Sequence, residues 1–289
     1  MRKIIFITGT GSGFGRLMTI TLSQAGHMVI AGMRDPDGSN AAAAKELSAL
    51  PNVQVARIDI TSDESVAAAF ERTIAQYGGV DVLVNNAAVH GYGLLEAYSL
   101  ARIREMFEVN FYGVVRTYQA VLPAMRTAKK GLIINITSGA SGHTLPFMIP
   151  YLASKFCVES ITEGIQEELA QFGIENVSIQ PGVYPTEMNS GAKKGVLSDK
   201  PAITAAYGPI AEKMFNDLGA GLFGKMAAYD MNPQVIADGV KALIDMKEGT
   251  RPLRYPLDAI AEGTDIEFIK ARADIKARWL KKYTSDTVK

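Results

Sequence analysis

Residues 3–15 read Lys-Ile-Ile-Phe-Ile-Thr-Gly-Thr-Gly-Ser-Gly-Phe-Gly, and this stretch decides the fold. Residues 3–7 form an apolar run with the length and composition of a buried strand. Leu17, Ile20 and Leu22 then recur at helical spacing up to Gly26. The glycines therefore lie in a strand-to-helix turn, where backbone N–H groups and a helix N-terminus favour an anion such as a pyrophosphate.

The spacing of the glycines indicates which type of phosphate-binding turn the sequence could form. It follows Gly9-x-x-x-Gly13-x-Gly15 rather than the more usual Gly-x-Gly-x-x-Gly. The turn is not a P-loop, because no Gly-Lys-Ser/Thr sequence follows it. The alternative interpretation is a turn that only lets a helix pack closely on a strand.

A second feature lies in the middle of the chain, where Tyr151 and Lys155 are four residues apart and Ser138 precedes the tyrosine by thirteen residues. If residues 151–172 are helical, Tyr151 and Lys155 lie on one face, one turn apart. Free tyrosine has a pKa of ~10, and a nearby cation lowers the pKa of a phenol. The three side chains are therefore suited to moving a proton to or from a substrate oxygen that the serine holds.

Composition and charge exclude several classes of protein. The chain has 289 residues, 47% of them hydrophobic, which is enough for one large α/β domain. Lys+Arg and Asp+Glu both number 30, so no basic excess points to nucleic acid or to a membrane surface. One cysteine and three histidines show no metal-ligand spacing, and we expect no metal. With no leader and no apolar stretch of membrane length, we expect a cytoplasmic protein.

Strand and helix patterns alternate along the chain. Apolar runs predict strands at 3–8, 28–33, 53–59, 80–85, 131–137 and 175–180. Helical patterns occupy 14–25, 39–49, 63–77, 100–127, 151–172 and 232–247. This order predicts an α/β fold, a doubly wound parallel sheet of Rossmann type with helices on both faces. Ligands bind such sheets at the carboxyl ends of the strands, where Gly9, Asn85 and Ser138 all lie.

Residues 187–230 interrupt the alternation. They contain many glycines and scattered apolar residues, and we interpret this irregular insertion as a substrate lid, with a helical part over about 202–218. Residues 263–289 form a C-terminal tail with an amphipathic helix at 263–283. We predict that residues 1–289 form a single domain that includes the lid and the tail.

The order of several motifs resembles one known family. The motifs are the turn of residues 8–15, Asp59, Asn85-Asn86-Ala87, Asn110, Ser138, Tyr151, Lys155, Pro181-Gly182 and Thr186. From Lys3 to about Pro256 the chain resembles the short-chain dehydrogenases/reductases of the single-domain type. The resemblance implies an oxidoreductase that transfers a hydride between a nicotinamide nucleotide and a ketone, an aldehyde or a secondary alcohol.

The resemblance also implies catalytic roles. Tyr151 is the general acid in reduction and the general base in oxidation, and Lys155 lowers its pKa and bonds the nicotinamide ribose. Ser138 bonds the substrate carbonyl oxygen, and Asn110 holds a water that links Lys155 to solvent. The structural alternatives are a turn-forming serine and an asparagine that caps or kinks a helix.

The nucleotide-binding residues follow from the same resemblance. They are Gly9, Thr10, Gly11, Ser12, Gly13, Phe14, Gly15, Arg34, Asp59, Ile60, Asn86, Ala87, Tyr151, Lys155, Pro181, Gly182, Val183 and Thr186. Asp59 would contact the adenine ring, or instead cap the turn that follows it. The segment from Pro181 to Thr186 would contact the nicotinamide amide.

The end of the second strand distinguishes NADP from NAD. An acidic residue there would bond the adenosine ribose hydroxyls and repel a 2′-phosphate. This chain has Met33 at that place, followed by Arg34, which can form bidentate bonds to a phosphate. We therefore expect NADP rather than NAD. Asp35 follows directly, and it either faces away from Arg34 or partly neutralises it.

Candidate substrate contacts lie after the fourth strand, between Ser138 and Tyr151, and at the start of the lid. They are His90, Tyr92, His143, Leu145, Phe147, Met148 and Met188. These side chains suggest an apolar or aromatic carbonyl compound or alcohol, although each alone is also consistent with packing. We expect a homo-oligomer by analogy with the family.

Two other functions stay open. An epimerase or dehydratase that retains its nucleotide would use the same fold, but such relatives usually carry a longer substrate domain. A nucleotide-sensing regulator without turnover would typically lack the tyrosine or the lysine, and both are present here.

Overall fold

A parallel sheet forms the centre of the protein, whose computed structural model describes residues 1–188 and 195–283. Its strands are Ile4–Thr8 (β1), Met28–Met33 (β2), Val53–Arg57 (β3), Val82–Asn85 (β4), Gly131–Ile136 (β5), Ile174–Pro181 (β6) and Arg254–Leu257 (β7). All neighbours are parallel, in the order β3-β2-β1-β4-β5-β6-β7. The order reverses between β1 and β4, which opens a crevice at their carboxyl ends.

Helices cover the sheet on both faces. In the described part of the chain the α-helices are Gly13–Gln24 (α1), Ala41–Ser48 (α2), Asp63–Tyr77 (α3), Leu100–Phe107 (α4), Gly113–Ala128 (α5), Ile149–Ala170 (α6), Pro201–Ala206 (α7), Gly208–Ala228 (α8), Gln234–Asp245 (α9) and Thr264–Leu280 (α10). No helix in these ranges combines the length and the apolar character needed to cross a bilayer.

The alternating side chains of β1 show how the two faces are divided. Ile5 and Ile7 pack in one apolar cluster with residues of α1 and α9. Phe6 points to the other face, where its ring stacks on Phe70 of α3 at 4.5 Å, in a cluster that α5 and α6 complete. Successive strand residues point to opposite faces, so a strand buried on both sides is apolar throughout. The predicted doubly wound parallel sheet is confirmed.

Three elements differ from the prediction. The helix expected at 100–127 is divided, because a π-helical turn at Glu108–Tyr112 separates α4 from α5. The strand β7 was not predicted; it has four residues and contains Pro256, which an edge strand tolerates. Residues 187–230 are less irregular than expected, since α7 and α8 span much of this range. Residues 189–194 of the predicted lid lie outside the described residues.

The C-terminal tail is attached to the helix that carries Tyr151. Arg272 and Lys276 of α10 form ion pairs with Glu163 of α6, at 2.7 and 2.5 Å. Phe268 of α10 packs against His143, with ring centres 5.7 Å apart. Helix α10 therefore packs on its own chain, and its residues Thr264, Asp265 and Phe268 line the cleft at the carboxyl edge of the sheet.

Candidate active site

One large cleft, of about 990 Å³, opens at the carboxyl edge of the sheet. Residues that follow all seven strands line it, together with residues of α6, α8 and α10. The predicted site residues on its surface are Gly9, Gly11, Ser12, Gly13, Phe14, Arg34, Asp59, Ile60, Asn86, Ala87, His90, Tyr92, Ser138, His143, Leu145, Met148, Tyr151, Lys155, Pro181, Gly182, Val183, Thr186 and Met188. Thr10, Gly15, Asn110 and Phe147 are not part of that surface.

Two glycines allow the turn between β1 and α1 to pack tightly. Gly9 has a φ of 71°, and a Cβ on it would lie 2.7 Å from Cα of Ala87. A Cβ on Gly15 would overlap the carbonyl oxygen of Gly9. Position 9 therefore requires glycine for two reasons, its backbone conformation and the close approach of the loop that follows β4.

Hydrogen bonds from neighbouring residues fix this turn. The side-chain amide of Asn86 donates to the carbonyl oxygens of Thr8 and Gly9, at 2.9 and 3.0 Å. The hydroxyl and the N–H of Thr10 both donate to the carbonyl oxygen of Gly32, at 3.1 and 3.0 Å. Hydrogen bonds from Thr10 and from the Asn86 side chain therefore fix the backbone conformation of the turn.

The amino terminus of α1 already binds an anionic group. The carboxylate of Glu187 accepts a hydrogen bond of 2.9 Å from the backbone N–H of Gly13. The first turn of α1 contains no acidic residue of its own, and the first N–H groups of a helix have no partner within the helix. A phosphate oxygen matches the charge and hydrogen-bonding capacity of this carboxylate. The turn therefore fits the diphosphate of a dinucleotide.

Arg34 borders the cleft as an exposed residue directly after β2. The neighbouring Asp35 faces its own loop: Oδ2 accepts from the N–H of Ser39 at 2.7 Å, and Oδ1 lies 3.8 Å from Arg57. These interactions, above all the hydrogen bond from Ser39, lower the pKa of Asp35. Between described residues no ion pair joins Arg34 to a carboxylate. Asp35 thus faces away from Arg34, one of the two orientations that the sequence left open.

Asp59 and Ile60 shape the next part of the wall. Oδ1 of Asp59 accepts hydrogen bonds from the N–H and the hydroxyl of Thr61, at 3.0 and 2.7 Å. Asp59 therefore caps the turn that follows it, which is one of the two roles that the sequence left open. The Ile60 side chain packs against Gly113 at the start of α5. Both residues also line the cleft.

Ser138 lies in a short loop after β5. Its hydroxyl oxygen accepts from the N–H of Ala140 at 3.2 Å, and its carbonyl oxygen accepts from the Ser141 hydroxyl at 2.6 Å. The N–H of Gly139 donates to the carbonyl oxygen of Pro181 at 2.7 Å. These bonds attach the serine loop to the end of β6 and hold Ser138 in the cleft wall.

Tyr151 and Lys155 lie on the first turns of α6, as their spacing predicted. The ammonium group of Lys155 is 5.9 Å from the ring centre of Tyr151 and donates to the carbonyl oxygen of Ile136 at 2.9 Å. Lys155 is only 4% exposed, and burial lowers its pKa to about 8. Tyr151, Lys155 and Ser138 all line the same cleft.

The pKa of Tyr151 differs from the sequence-based expectation. Burial, and to a smaller extent Tyr92, raise it above the ordinary value, whereas we expected Lys155 to lower it. Desolvation penalises a phenolate, and a cation at this distance from the ring does not offset that penalty. In this cleft Tyr151 is a neutral phenol that carries its proton at physiological pH.

Asn110 is a positioning residue in this structure. Oδ1 accepts from the N–H of Val89, and Nδ2 donates to the carbonyl oxygen of Val89 and to the hydroxyl of Ser154, at 2.8, 2.8 and 3.0 Å. The Ser154 hydroxyl in turn donates to the carbonyl oxygen of Tyr151 at 2.6 Å. These hydrogen bonds join the π-helical turn to the loop after β4 and to α6.

The substrate candidates divide between the cleft and the core. His90 and Tyr92 contact each other at 5.2 Å on the cleft wall, and burial lowers the pKa of His90. Phe147 is buried and packs against Phe215 of α8, at 5.4 Å. Among the predicted substrate contacts, Phe147 is the one that packs in the core and lies outside the cleft surface.

Sequence reasoning missed several residues of the substrate end. Leu222 of α8, Asp258 after β7 and Phe268 of α10 all line the cleft. Each lies far along the chain from Ser138 and Tyr151, and no local motif marks them. The pairing of β7 with β6 brings Asp258 into the site, and the docking of α10 beside β7 brings Phe268. Within residues 1–188 and 195–283, no cluster of acidic, cysteine or histidine side chains is arranged to hold a metal.

Comparison with known proteins identifies the family. Residues 3–196 match the family model described as short chain dehydrogenase. The chain therefore belongs to the short-chain dehydrogenases/reductases, a family of oxidoreductases, and the resemblance seen in the sequence is confirmed.

Two curated relatives cover most of the chain. An uncharacterized oxidoreductase of Bacillus subtilis, YusZ, is 32% identical over 89% of this chain and 89% of its own length. Retinol dehydrogenase 8 of Homo sapiens is 34% identical over 86% of this chain and 79% of its own length. Both similarities extend beyond the nucleotide-binding half of the chain.

Solved structures agree with this assignment. A short-chain dehydrogenase from Streptomyces avermitilis superposes with a TM-score of 0.76 at 26% identity, covering 98% of this chain and 97% of its own. An actinorhodin polyketide ketoreductase variant, solved with NADPH, superposes with a TM-score of 0.72 at 25% identity, covering 89% and 95%. The shared fold extends over nearly the whole length of this chain.

Proposed function

We propose that the protein transfers a hydride between NADP(H) and an apolar or aromatic ketone, aldehyde or secondary alcohol. The observation that supports this most directly is the buried Lys155 ammonium, 5.9 Å from the Tyr151 ring, in a cleft that Ser138 and the glycine turn also line. A hydride transfer requires donors aimed at the substrate oxygen and a nucleotide held beside them. This cleft offers the residues for both.

The nucleotide would extend along the carboxyl edge of the sheet. Gly13 and its neighbours in the turn would bind the diphosphate, Arg34 the 2′-phosphate, and the segment from Gly182 to Thr186 the nicotinamide end. When bound, the nucleotide supplies or accepts the hydride. The ketoreductase structure with NADPH supports a nucleotide in this fold, and the exposed Arg34 supports the preference for NADP.

Arg34→Ala is expected to raise the Kd for NADPH about 10- to 100-fold and to change the Kd for NADH little, because only NADPH carries the 2′-phosphate. Nucleotide fluorescence titration measures both constants. Arg57→Ala is the matched control, since its guanidinium is already paired with Asp35 and Asp37. Equal losses for the two nucleotides would reject NADP preference.

Glu187→Gln is expected to tighten NADPH binding about tenfold. A nucleotide phosphate has to displace the Glu187 carboxylate from Gly13, and a group that fills the site in nine-tenths of the molecules raises the apparent Kd about tenfold. Fluorescence titration of the variant against wild type measures the change. Glu212→Gln, which removes an exposed carboxylate from α8, should leave the Kd unchanged. Weaker binding by Glu187→Gln would contradict this placement of the diphosphate.

The neutral Tyr151 phenol is the form that reduction of a carbonyl compound requires. Burial keeps Tyr151 as a neutral phenol, which can donate its proton to a substrate oxygen that gains negative charge. The Ser138 hydroxyl, which lines the same cleft, would donate to the same oxygen, and the Lys155 ammonium would stabilise the phenolate that remains. Oxidation of an alcohol needs a phenolate at the start, which burial disfavours.

The pH dependence of kcat/KM for reduction is expected to follow Lys155. Its pKa of about 8 means that the cation is present below that pH and is lost above it. Without the cation the Tyr151 phenolate is less stable, so kcat/KM should fall by about tenfold per pH unit above the lysine pKa. Initial rates across about pH 6 to 10 measure the profile. A rate that rises through that range would contradict this role.

The substrate end of the cleft is predominantly apolar. Leu145, Met148, Met188, Leu222 and Phe268 line it, contributed by the loop before α6, the segment after β6, α8 and α10. We interpret α7 and α8 as the lid over this end, consistent with the absence of buried residues in either helix. The name of retinol dehydrogenase 8 is that of an enzyme acting on an alcohol, in keeping with this proposal.

A panel of ketones tested with NADPH distinguishes this function from its rivals. Loss of absorbance at 340 nm that depends on the ketone supports the reductase. NADPH binding without turnover of any ketone, aldehyde or alcohol would support a nucleotide-sensing regulator. Conversion of a substrate with no net change in the nucleotide would support an epimerase or dehydratase.

A further inference from the structure

Asp258 is a cleft residue to which no part of the proposed mechanism assigns a role. It follows β7 and lines the cleft beside the serine loop. A Cβ on Gly182 would overlap the carboxylate oxygen Oδ1 of Asp258, and a Cβ on Gly139 would lie 3.3 Å from Oδ2. Gly139 directly follows Ser138, and Gly182 directly follows Pro181. The carboxylate therefore lies against the backbone of both segments that border the reacting end of the cleft.

The Asp258 carboxylate has no positively charged partner among the described residues. Oδ1 accepts a hydrogen bond of 3.0 Å from the N–H of Ile260, but no cation among residues 1–188 and 195–283 forms an ion pair with this carboxylate. The neighbouring charged group is another carboxylate, Asp265, which also lines the cleft. Burial, and to a smaller extent Asp265, raise the pKa of Asp258.

Other buried carboxylates near the site are paired. Glu159 of α6, 1% exposed, forms an ion pair of 2.5 Å with Arg254. Glu163 binds Arg254, Arg272 and Lys276. A half-buried charge without a partner costs stability, and one that faces a cleft is characteristic of a functional position. Asp258 differs from these residues because it lines the cleft and has no ion-pair partner among the described residues.

We propose that Asp258 determines substrate specificity by binding a cationic amino group next to the reacting carbonyl, with Asp265 as a second carboxylate facing the same group. The proposal rests on the function proposed above and narrows its substrate to an amino ketone or amino alcohol with an apolar remainder. An ammonium group supplies the missing countercharge and donates to Oδ2, while the apolar wall of Leu222 and Phe268 receives the rest of the molecule.

Binding of two matched probes tests the inference without any turnover. Hexylammonium chloride and 1-hexanol have the same chain and differ in the charged group. Calorimetry with the full-length protein should show that hexylammonium binds at least about tenfold more tightly, a ratio typical of a charge-assisted hydrogen bond. Asp258→Asn should abolish this preference while keeping Oδ1 for the Ile260 N–H.

Asp274→Asn is the matched control, because Asp274 is an exposed carboxylate of α10 outside the cleft. It should retain the preference for hexylammonium. Equal affinity for the two probes, the absence of saturable amine binding, or a preference that survives Asp258→Asn would each overturn the inference.

A kinetic comparison separates this inference from the proposed function. With NADPH, 1-amino-2-octanone should be reduced with a kcat/KM at least about tenfold above that of 2-octanone, and Asp258→Asn should remove the difference. Reduction of 2-octanone at least as fast, with no effect of the variant, overturns the inference and leaves the reaction intact. Asp258-dependent amine binding with no reduction of any ketone overturns the reaction and supports the amine site.

Discussion

Tyr151→Phe is expected to lower kcat by about 10²- to 10⁴-fold while the Kd for NADPH changes little. The substitution removes only the hydroxyl proposed to donate a proton to the substrate oxygen, and the ring continues to pack against the apolar cluster of Tyr98, Met106 and Val196. The consumption of NADPH at 340 nm measures kcat, and fluorescence titration measures nucleotide binding. The loss should appear in kcat and kcat/KM alike, because the hydroxyl acts in the transition state.

A second buried tyrosine provides the control. The hydroxyl of Tyr98 is buried and is the one side-chain polar atom within residues 1–188 and 195–283 that is buried without a hydrogen-bond partner. Tyr98→Phe removes the same group from the same apolar cluster, so it should leave kcat unchanged and stability equal or higher. If Tyr151→Phe retained more than about a tenth of the wild-type kcat, Tyr151 would not be the proton donor.

Gly9→Ala is expected to abolish measurable NADPH binding and to lower Tm. An alanine there would place its Cβ 2.7 Å from Cα of Ala87, and backbone atoms cannot move away as a flexible side chain can. The φ of 71° adds the cost of a left-handed conformation, about 1–2 kcal/mol. Calorimetric titration with NADPH and thermal unfolding measure the two effects.

Gly26→Ala separates the close approach from the backbone conformation. Gly26 also has a positive φ, 85°, but no atom lies within 4 Å of the position that its Cβ would take. This variant should lose only the conformational part of the stability, about 1–2 kcal/mol, and should still bind NADPH. Equal NADPH affinity in Gly9→Ala and Gly26→Ala would show that the contact with Ala87 does not shape the nucleotide site.

Local sequence patterns were sufficient for the elements that position the nucleotide. The β1–turn–α1 unit depends on neighbouring residues only: an apolar strand, a turn with positive φ at Gly9 and Gly13, and a helix with an apolar face. Tyr151 and Lys155 share one helical turn, so their proximity also followed from spacing. These features are local, and for that reason the sequence predicts them.

The parts that sequence reasoning missed depend on distant contacts. β7 has four residues, and its Arg254 is buried because Glu159 and Glu163 of α6 pair with it. Asp258 reaches Gly139 and Gly182 only after β7 has joined the sheet. No periodicity in the sequence encodes such pairings between residues about a hundred positions apart.

The sequence also did not predict how burial changes the pKa values of Tyr151 and Lys155. The spacing of Tyr151 and Lys155 suggested a lowered phenol pKa, but burial raises the pKa of Tyr151 and lowers that of Lys155. Burial depends on the packing of α6 against β6 and on the helices around the cleft. The Asn110 side chain likewise bonds Val89 and Ser154, partners that adjacent sequence does not reveal.

The most direct test of the proposed chemistry follows the hydride itself. NADPH that carries deuterium in the transferable position at C4 is incubated with the protein and an apolar ketone, and the product alcohol is analysed by mass spectrometry. Wild-type protein should transfer deuterium to the former carbonyl carbon, and Tyr151→Phe should not do so at a comparable rate. An alcohol formed without deuterium, or nucleotide that stays unchanged beside every ketone, aldehyde and alcohol tried, would contradict hydride transfer in this cleft.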